Sequence, residues 1–294
     1  MIANQSKRAA AVFLAPSLTA IAVFFFIPVI VAFFMSFTDF DIYSLGDFSN
    51  ARIVGFKNYS QLFSDPLFWT AMKNTLSFVV FGTPLTIAVA LVAALLLNSK
   101  LVRFKGFFRV IYFAPRVTTL VAVAVLWRFI YHPRFGILNY LLGFIGVHPI
   151  DWLGDSFWAM PAIILMSVWK NFGYSMIIFI VGLQNIPDQL YEAARIDGAG
   201  PWAQFKNITL PMLAPVSLFI SIITMIDYFQ FFAEPYVMTQ GGPLNSTLSI
   251  VMLLYQQGFR WWNMGYSASI AFILFSVIFA ASLIQAYFQR RREA

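Results

Sequence analysis

Two short sets of polar and aromatic residues stand inside long apolar runs: Lys170, Asn171, Tyr174 and Ser175, and then Thr224, Asp227, Tyr228, Gln230 and Phe231. A charge at the centre of a bilayer costs about 2.5–3.5 kcal/mol on insertion scales, so such groups turn toward a bundle interior or a cavity. Thr224, Tyr228 and Phe231 recur at i, i+4 and i+7, which puts a hydroxyl, a phenol and a phenyl ring on one helical face. That set suits a sugar, whose polar edges take hydrogen bonds and whose apolar ring face stacks on an aromatic. Asp227 has two readings: it contacts the bound molecule, or it neutralises Lys170 or Arg116 as a pair between helices. Tyr228 faces the bound molecule or satisfies a neighbouring backbone carbonyl. Arg116 follows Pro115, where a kink frees carbonyls, and local satisfaction of those carbonyls is its expected role.

Other chemistries find little support. There is no Gly-x-x-x-x-Gly-Lys-Ser/Thr phosphate loop, and no carboxylate pair or nucleophile–base constellation, so no catalytic residue is assigned and ATP binding is not expected in this chain. Cysteine is absent, and His132 and His148 fall in expected loops far from metal-ligand spacing, so no metal site is assigned.

The elements that must carry these residues are membrane helices. The 294 residues are 60% hydrophobic and 11% charged, with a mean hydropathy of +0.77, against about 45–50% apolar and about 25% charged in soluble domains. The 34 Phe and 8 Trp suit lipid-facing and interfacial surfaces. Six stretches have the length a span requires, at roughly 10–35, 74–98, 107–131, 157–182, 211–233 and 264–288. A cytoplasmic N-terminus places eleven of the nineteen Lys and Arg residues inside and six in the longer outer loops, leaving Arg116 and Lys170 within spans. By the positive-inside rule both termini are then cytoplasmic, and loop charge rather than a nucleic-acid partner accounts for the net +7. The outer loops 36–73, 132–156 and 234–263 are long enough to meet an extracytoplasmic partner; the second has room for a short helix, and Gly-Gly-Pro marks a turn in the third.

One inner segment is polar and punctuated: "LYEAARIDGAGPWAQFKNITLPMLAP", residues 190–215. Pro187 and Asp188 suit a helix start, Gly198 a stop, and Pro201 the opening of a second short helix running into Pro211. Small residues at 193, 194 and 198–200 allow another chain to approach closely.

Glu192-Ala193-Ala194, then Gly198, Ile208 and Leu210-Pro211, reproduce the spacing of the EAA loop of ABC importer permeases. The stretches "WKNFGYSMIIFIVGLQNIPDQLYEAARIDGAG" (169–200), "LWRFIYHPRFGILNYLL" (126–142) and "YVMTQGGPLNSTLSI" (236–250) resemble the carbohydrate-uptake branch, in particular the maltose-permease-like member of a two-permease pair. The chain resembles the six-span form, without the two extra N-terminal spans and the very large second outer loop of the enterobacterial maltose subunit, and "WKNFGYS" departs from that subunit's pattern by about one residue. The resemblance implies an all-α, polytopic type I permease fold. It divides the chain into a first helix and outer loop (1–69), a core of five helices (70–288) containing the coupling loop at about 187–211, and a basic tail (289–294). In that family the loop docks on the ATPase, which assigns Glu192, Ala193, Ala194, Asp197, Gly198, Ile208, Leu210 and Pro211 to coupling. The positions matching the family's sugar cavity are Thr224, Asp227, Tyr228, Gln230 and Phe231, with Asn171, Tyr174 and Ser175 from the fourth span.

The resemblance further implies a second, similar permease, two ATPase copies carrying ATP and Mg, and an extracytoplasmic sugar-binding protein, in the bacterial inner membrane. Such an assembly passes a sugar of di- or oligosaccharide size inward by alternating access. A permease for a polyamine or an inorganic anion is the nearer alternative, and would want intramembrane charges of one sign converging. An ion-coupled secondary transporter is more remote, since the 190–215 segment has no role in it.

Overall fold

The computed structural model describes residues 2–47, 50–99 and 102–293, and of these the backbone alone at 2–11, 45 and 289–293. Lys100 and the side chains of Lys7, Arg8, Arg290, Arg291 and Arg292, all used in the charge count, therefore lie outside the described residues. The described chain is helical, and its only strand-like pairing is one antiparallel bridge, Thr38 to Ile53.

The chain divides into two units, residues 1–66 with 254–275, and residues 67–253 with 276–294. In the first, α1 (Ile2–Ile21) passes through a π-helical stretch, Ala22–Phe26, into α2 (Ile27–Met35). None of the side chains from 12 to 35 is buried, as expected of a span that faces lipid or another chain. Phe37 joins Phe33 and Phe56 in edge-on ring contacts at 5.2 and 5.3 Å. Asn58 ties the loop by donating to the carbonyls of Ser36 and Thr38 at 2.9 and 2.8 Å.

The second unit contains α3 (Pro66–Asn98), α4 (Lys105–Val117), α5 (Leu120–Ile130), α6 (Ala159–Gln184), α7 (Asp188–Ile196), α8 (Pro201–Gln204), α9 (Ala214–Phe229) and α10 (Ala233–Met238); the last long helix, α11 (Met264–Glu293), contributes to both units. The expected helix of the second outer loop is present at Ile137–Gly143. Helix α3 starts eight residues before the expected 74. Phe68, Ala71, Met72, Thr75, Phe78 and Val79 form a buried stripe at helical spacing, which overrides the polar Lys73 and Asn74. Just past those extra turns, the helix holds the third outer loop: Asn74 donates to the carbonyls of Asn245 and Leu248, and Thr75 Oγ1 accepts from the Ile250 N–H at 3.0 Å.

Among the described residues, four helices are long and apolar enough to cross a membrane, or up to six if each of two bent pairs is one span. The bent pairs correct two expected spans. The 107–131 stretch is not one helix: α4 and α5 meet at 100°, with Thr118 and Thr119 extended between them. The 211–233 stretch begins with a 63° bend between Pro201–Met212 and α9, and its helix ends at Phe229. The prolines mark one break and not the other: Pro211 and Pro215 flank the 63° bend, whereas Pro115 lies three residues before the 100° break. Pro84 sits inside the unbroken α3, while Pro161 and Pro215 lie in first turns, where no backbone N–H is needed.

Small residues set the crossings. A Cβ on Gly173 of α6 would collide with the Tyr112 carbonyl of α4, and one on Gly182 would come within 2.9 Å of Leu213. Membrane helices without a hydrophobic drive between them gain from such close backbone approach. Gly173→Ala is accordingly expected to lower the apparent melting temperature of the purified protein by several degrees, since overpacking costs about 1–3 kcal/mol. Gly106→Ala, where nothing lies within 4 Å, is the control; equal melting curves for the two variants would refute the tight crossing.

Candidate functional site

A cavity of about 440 Å³ opens where α4, α5, α6 and the end of α9 meet, lined by Arg116, Leu120, Lys170, Asn171, Asp227, Tyr228, Gln230, Phe231, Phe232, Ala233 and Glu234. Of the eight expected substrate positions, Asn171, Asp227, Tyr228, Gln230 and Phe231 come together there. Tyr174, Ser175 and Thr224 are not among the lining residues: Tyr174 lies beneath the Arg116 guanidinium, 5.4 Å from its ring centroid, while Ser175 and Thr224 are buried in packing. The expected face of Thr224, Tyr228 and Phe231 exists, but α3 takes most of it. Phe78 stacks on Phe231 with centroids 4.0 Å apart, and Thr86 Oγ1 shares a 2.7 Å hydrogen bond with the Tyr228 hydroxyl. Gly82 leaves room for the Tyr228 ring, since a Cβ there would stand 2.7 Å from Cε2.

The charged residues exchange the expected roles. It is Lys170, not Arg116, that satisfies the carbonyls of the broken span. Its Nζ donates to the oxygens of Pro115, Arg116 and Thr118 at 3.2, 3.3 and 3.1 Å. An ammonium has three protons to donate, and a helix C-terminus carries negative partial charge that favours a cation. The Arg116 guanidinium instead donates to Asn171 Oδ1 at 2.6 Å and to Asp227 Oδ2 at 3.3 Å. Of the two sequence readings of Asp227, the interhelical pair is the contact formed, and its partner is Arg116. Glu234, almost fully buried in the cavity wall, is not among the expected site residues. It lies one residue past the expected end of the fifth span, where the sequence reads as outer loop.

The second candidate feature is the elbow between α6 and α9. Helix α7 starts at Asp188 after Pro187 and ends at Ile196. Gly198 has φ +79 and closes the helix: its N–H donates to the Arg195 carbonyl, and that of Ala199 to the Ala194 carbonyl, at 3.1 and 2.8 Å. This paired return is a Schellman end, which requires a left-handed residue. Gln204 Nε2 donates to the Ala199 carbonyl at 2.7 Å, and the hydroxyls of Tyr191 and Thr209 are 2.9 Å apart. Tyr191 and Ile208 pack against the buried cluster of Leu183, Ile186, Leu213 and Ile220. Glu192, Ala193, Asp197 and Gly198 are exposed, as are Leu210 and Pro211, and Ile196 and Trp202 stand out at 87% and 73% exposure.

The chain has recognisable relatives. Residues 82–294 match the family described as binding-protein-dependent transport system inner membrane component. The chain is 37% identical over 286 residues to the lactose transport system permease protein LacF of Rhizobium radiobacter, covering 96% of this chain and 94% of that protein. It is 38% identical over 282 residues to the arabinooligosaccharides transport system permease protein AraP of Bacillus subtilis (strain 168), covering 95% and 88%. Its fold is shared, at a TM-score of 0.80 and 23% identity over 98% of this chain and 96% of the other, with a chain of a bacterial alginate ABC transporter solved in complex with an alginate pentasaccharide-bound periplasmic protein.

Two of the polar contacts at the site, Arg116–Asp227 and Thr86–Tyr228, differ in burial, which sets the expected outcome of removing each. Arg116 and Asp227 side chains are 36% and 47% exposed, and exposed pairs contribute about 0.2–1 kcal/mol, so Asp227→Asn should lower unfolding stability by no more than that. Tyr228→Phe strands a buried Thr86 hydroxyl, a loss of about 1–3 kcal/mol. Denaturant titration in mixed micelles compares them, and a larger effect from Asp227→Asn would reverse the ranking.

Proposed function

This chain belongs to the family of binding-protein-dependent transport system inner membrane components, and from that premise we propose that it is the permease subunit of an ATP-driven importer. The solute is a sugar of di- or oligosaccharide size, passed into the cytoplasm by alternating access, with hydrolysis on a separate ATPase subunit. The assembly comprises this chain, a second similar permease, two ATPase copies carrying ATP and Mg, and an extracytoplasmic sugar-binding protein. Both termini and the elbow face the cytoplasm in this reading, on the side where most Lys and Arg residues fall.

The observation that carries the coupling role is the build of the elbow. Glu192, Ile196 and Trp202 project outward, while Tyr191 and Ile208 anchor the same segment to the buried junction of α6 and α9. An exposed surface with a stiff root is what an ATPase needs to move spans. Relatives named for lactose and arabinooligosaccharides favour a sugar, and so do the cavity charges. The lining carries two cations, Lys170 and Arg116, and two acids, Asp227 and Glu234, with Lys170 engaged by three carbonyls and Arg116 by Asn171 and Asp227, so no cluster of one sign is offered to a polyamine or an inorganic anion.

ATP hydrolysis by the co-purified assembly in lipid, with binding protein and a panel of mono-, di- and oligosaccharides, tests the reading. One sugar class is expected to stimulate the rate. Gly198→Pro is expected to abolish that stimulation while the subunits still co-purify, because a proline ring fixes φ near −65° where this position has +79. Stimulation by a charged solute alone would discard the sugar and keep the elbow. Full stimulation in Gly198→Pro would discard the coupling role.

A further inference from the structure

We propose that Lys170 is a positioning residue for transport: its ammonium holds the break between α4 and α5 and so sets the wall of the cavity that α5 and α10 form. Carbonyls freed by a 100° turn at residues 118–119 inside an apolar stretch need partners from within the protein or from the cavity they border. Pro115 does not account for it. A proline clashes with the carbonyl four residues earlier and removes its own N–H, both on the N-terminal side, whereas the break lies three residues beyond it. Pro84 shows in this same chain that a proline can sit within an unbroken helix.

Lys170 matches the break in number, charge and position. Three protons meet the carbonyls of Pro115, Arg116 and Thr118, on both sides of the end of α4. Gly173, three residues along α6, brings that helix against the Tyr112 carbonyl, so the lysine reaches its acceptors. Asn171 holds the Arg116 side chain from the same turn. With its protons turned to the backbone, Lys170 acts on the solute through the bend rather than by contact. Removing the ammonium leaves carbonyls that a continuous helix would satisfy, so the segment straightens and α5 leaves the cavity wall.

The absence of cysteine allows a direct test in the lipid-reconstituted assembly. Spin labels go on Val110→Cys and Leu126→Cys, at exposed positions of α4 and α5, and their separation is read by pulsed electron resonance. Lys170 and Lys170→Arg are expected to give one short distance. Lys170→Met is expected to shift it toward about 24 Å, the length of sixteen residues of straight helix at 1.5 Å each. An unchanged distance in Lys170→Met overturns the proposal. Should that variant fail to assemble, Lys170→Gln carries the same test, with a broadened distribution expected and an unchanged one fatal.

A second arm rests on the importer reading. In the otherwise cysteine-free chain, Lys170→Cys is expected to raise the half-maximal sugar concentration for ATPase stimulation several-fold, with less effect on the maximal rate. Alkylation of the thiol with bromoethylamine, which rebuilds an ammonium of nearly lysine length, is expected to restore it. Failure of this rescue in a protein whose sugar response persists overturns the positioning role. Absence of any sugar response in the unmodified assembly would instead count against the importer reading, leaving the distance arm to decide on Lys170.

Discussion

Three carbonyls left bare by a broken helix, and one buried ammonium that meets them, set the terms for the rest of the cavity. A break in apolar surroundings is tolerable only if the freed backbone groups find partners within the protein. Here the partner comes from α6, so α6 must lie close against α4, and Gly173 permits that approach. With the carbonyls satisfied by Lys170, Arg116 is released from them and turns to Asn171 and Asp227. The polar lining contributed by α9 is thereby tied to the segment that breaks.

This dependence explains how much could be read from the residues. Apolar length locates the four unbroken spans and the two stretches that turn out bent, and proline and glycine punctuation locates the starts of the elbow helices to within a residue or two, because helix starts and stops are decided by neighbours in the chain. The break at Thr118 and Thr119 leaves no such mark: hydropathy runs through it, and Pro115 points to a distortion on the wrong side. Its cause lies 52 residues away in the chain, at Lys170. The same limit governs the roles of the two cations. Both were legible as intramembrane charges, but which would meet backbone and which a carboxylate depends on the crossing of two helices.

Periodicity met a related limit in α9. It places Thr224, Tyr228 and Phe231 on one face correctly, but it cannot say what that face meets. Phe78 and Thr86 of α3 engage Phe231 and Tyr228, so part of a face suited to a sugar is spent on packing. The open surface lies beside it, at Asp227 and Gln230. Hydropathy also set the start of α3 too late, although the stripe from Phe68 to Thr75 was present in the sequence. A window average discounts polar residues on the other face of the same helix.

In the importer reading the cavity and the elbow have different mechanical requirements, and their contacts differ accordingly. Part of the cavity wall is joined by a polar contact between partly exposed side chains, the Arg116–Asp227 pair. Such contacts cost little to exchange. The elbow is joined by buried apolar packing at Leu183, Leu213 and Ile220, backed by the Gly198 closure and the Tyr191–Thr209 bond. Between the two lies α6, which carries Leu183 near one end and Asn171 twelve residues away, about 18 Å along a straight helix. A push on the exposed face of α7 therefore enters a stiff root and travels along an unbroken helix. It arrives at residues 170 and 171, which hold the only 100° break among the described bent pairs. Stiffness at the driven end and exchangeable contacts at the cavity are the arrangement that lets a small cytoplasmic displacement rework the cavity without unpacking the bundle.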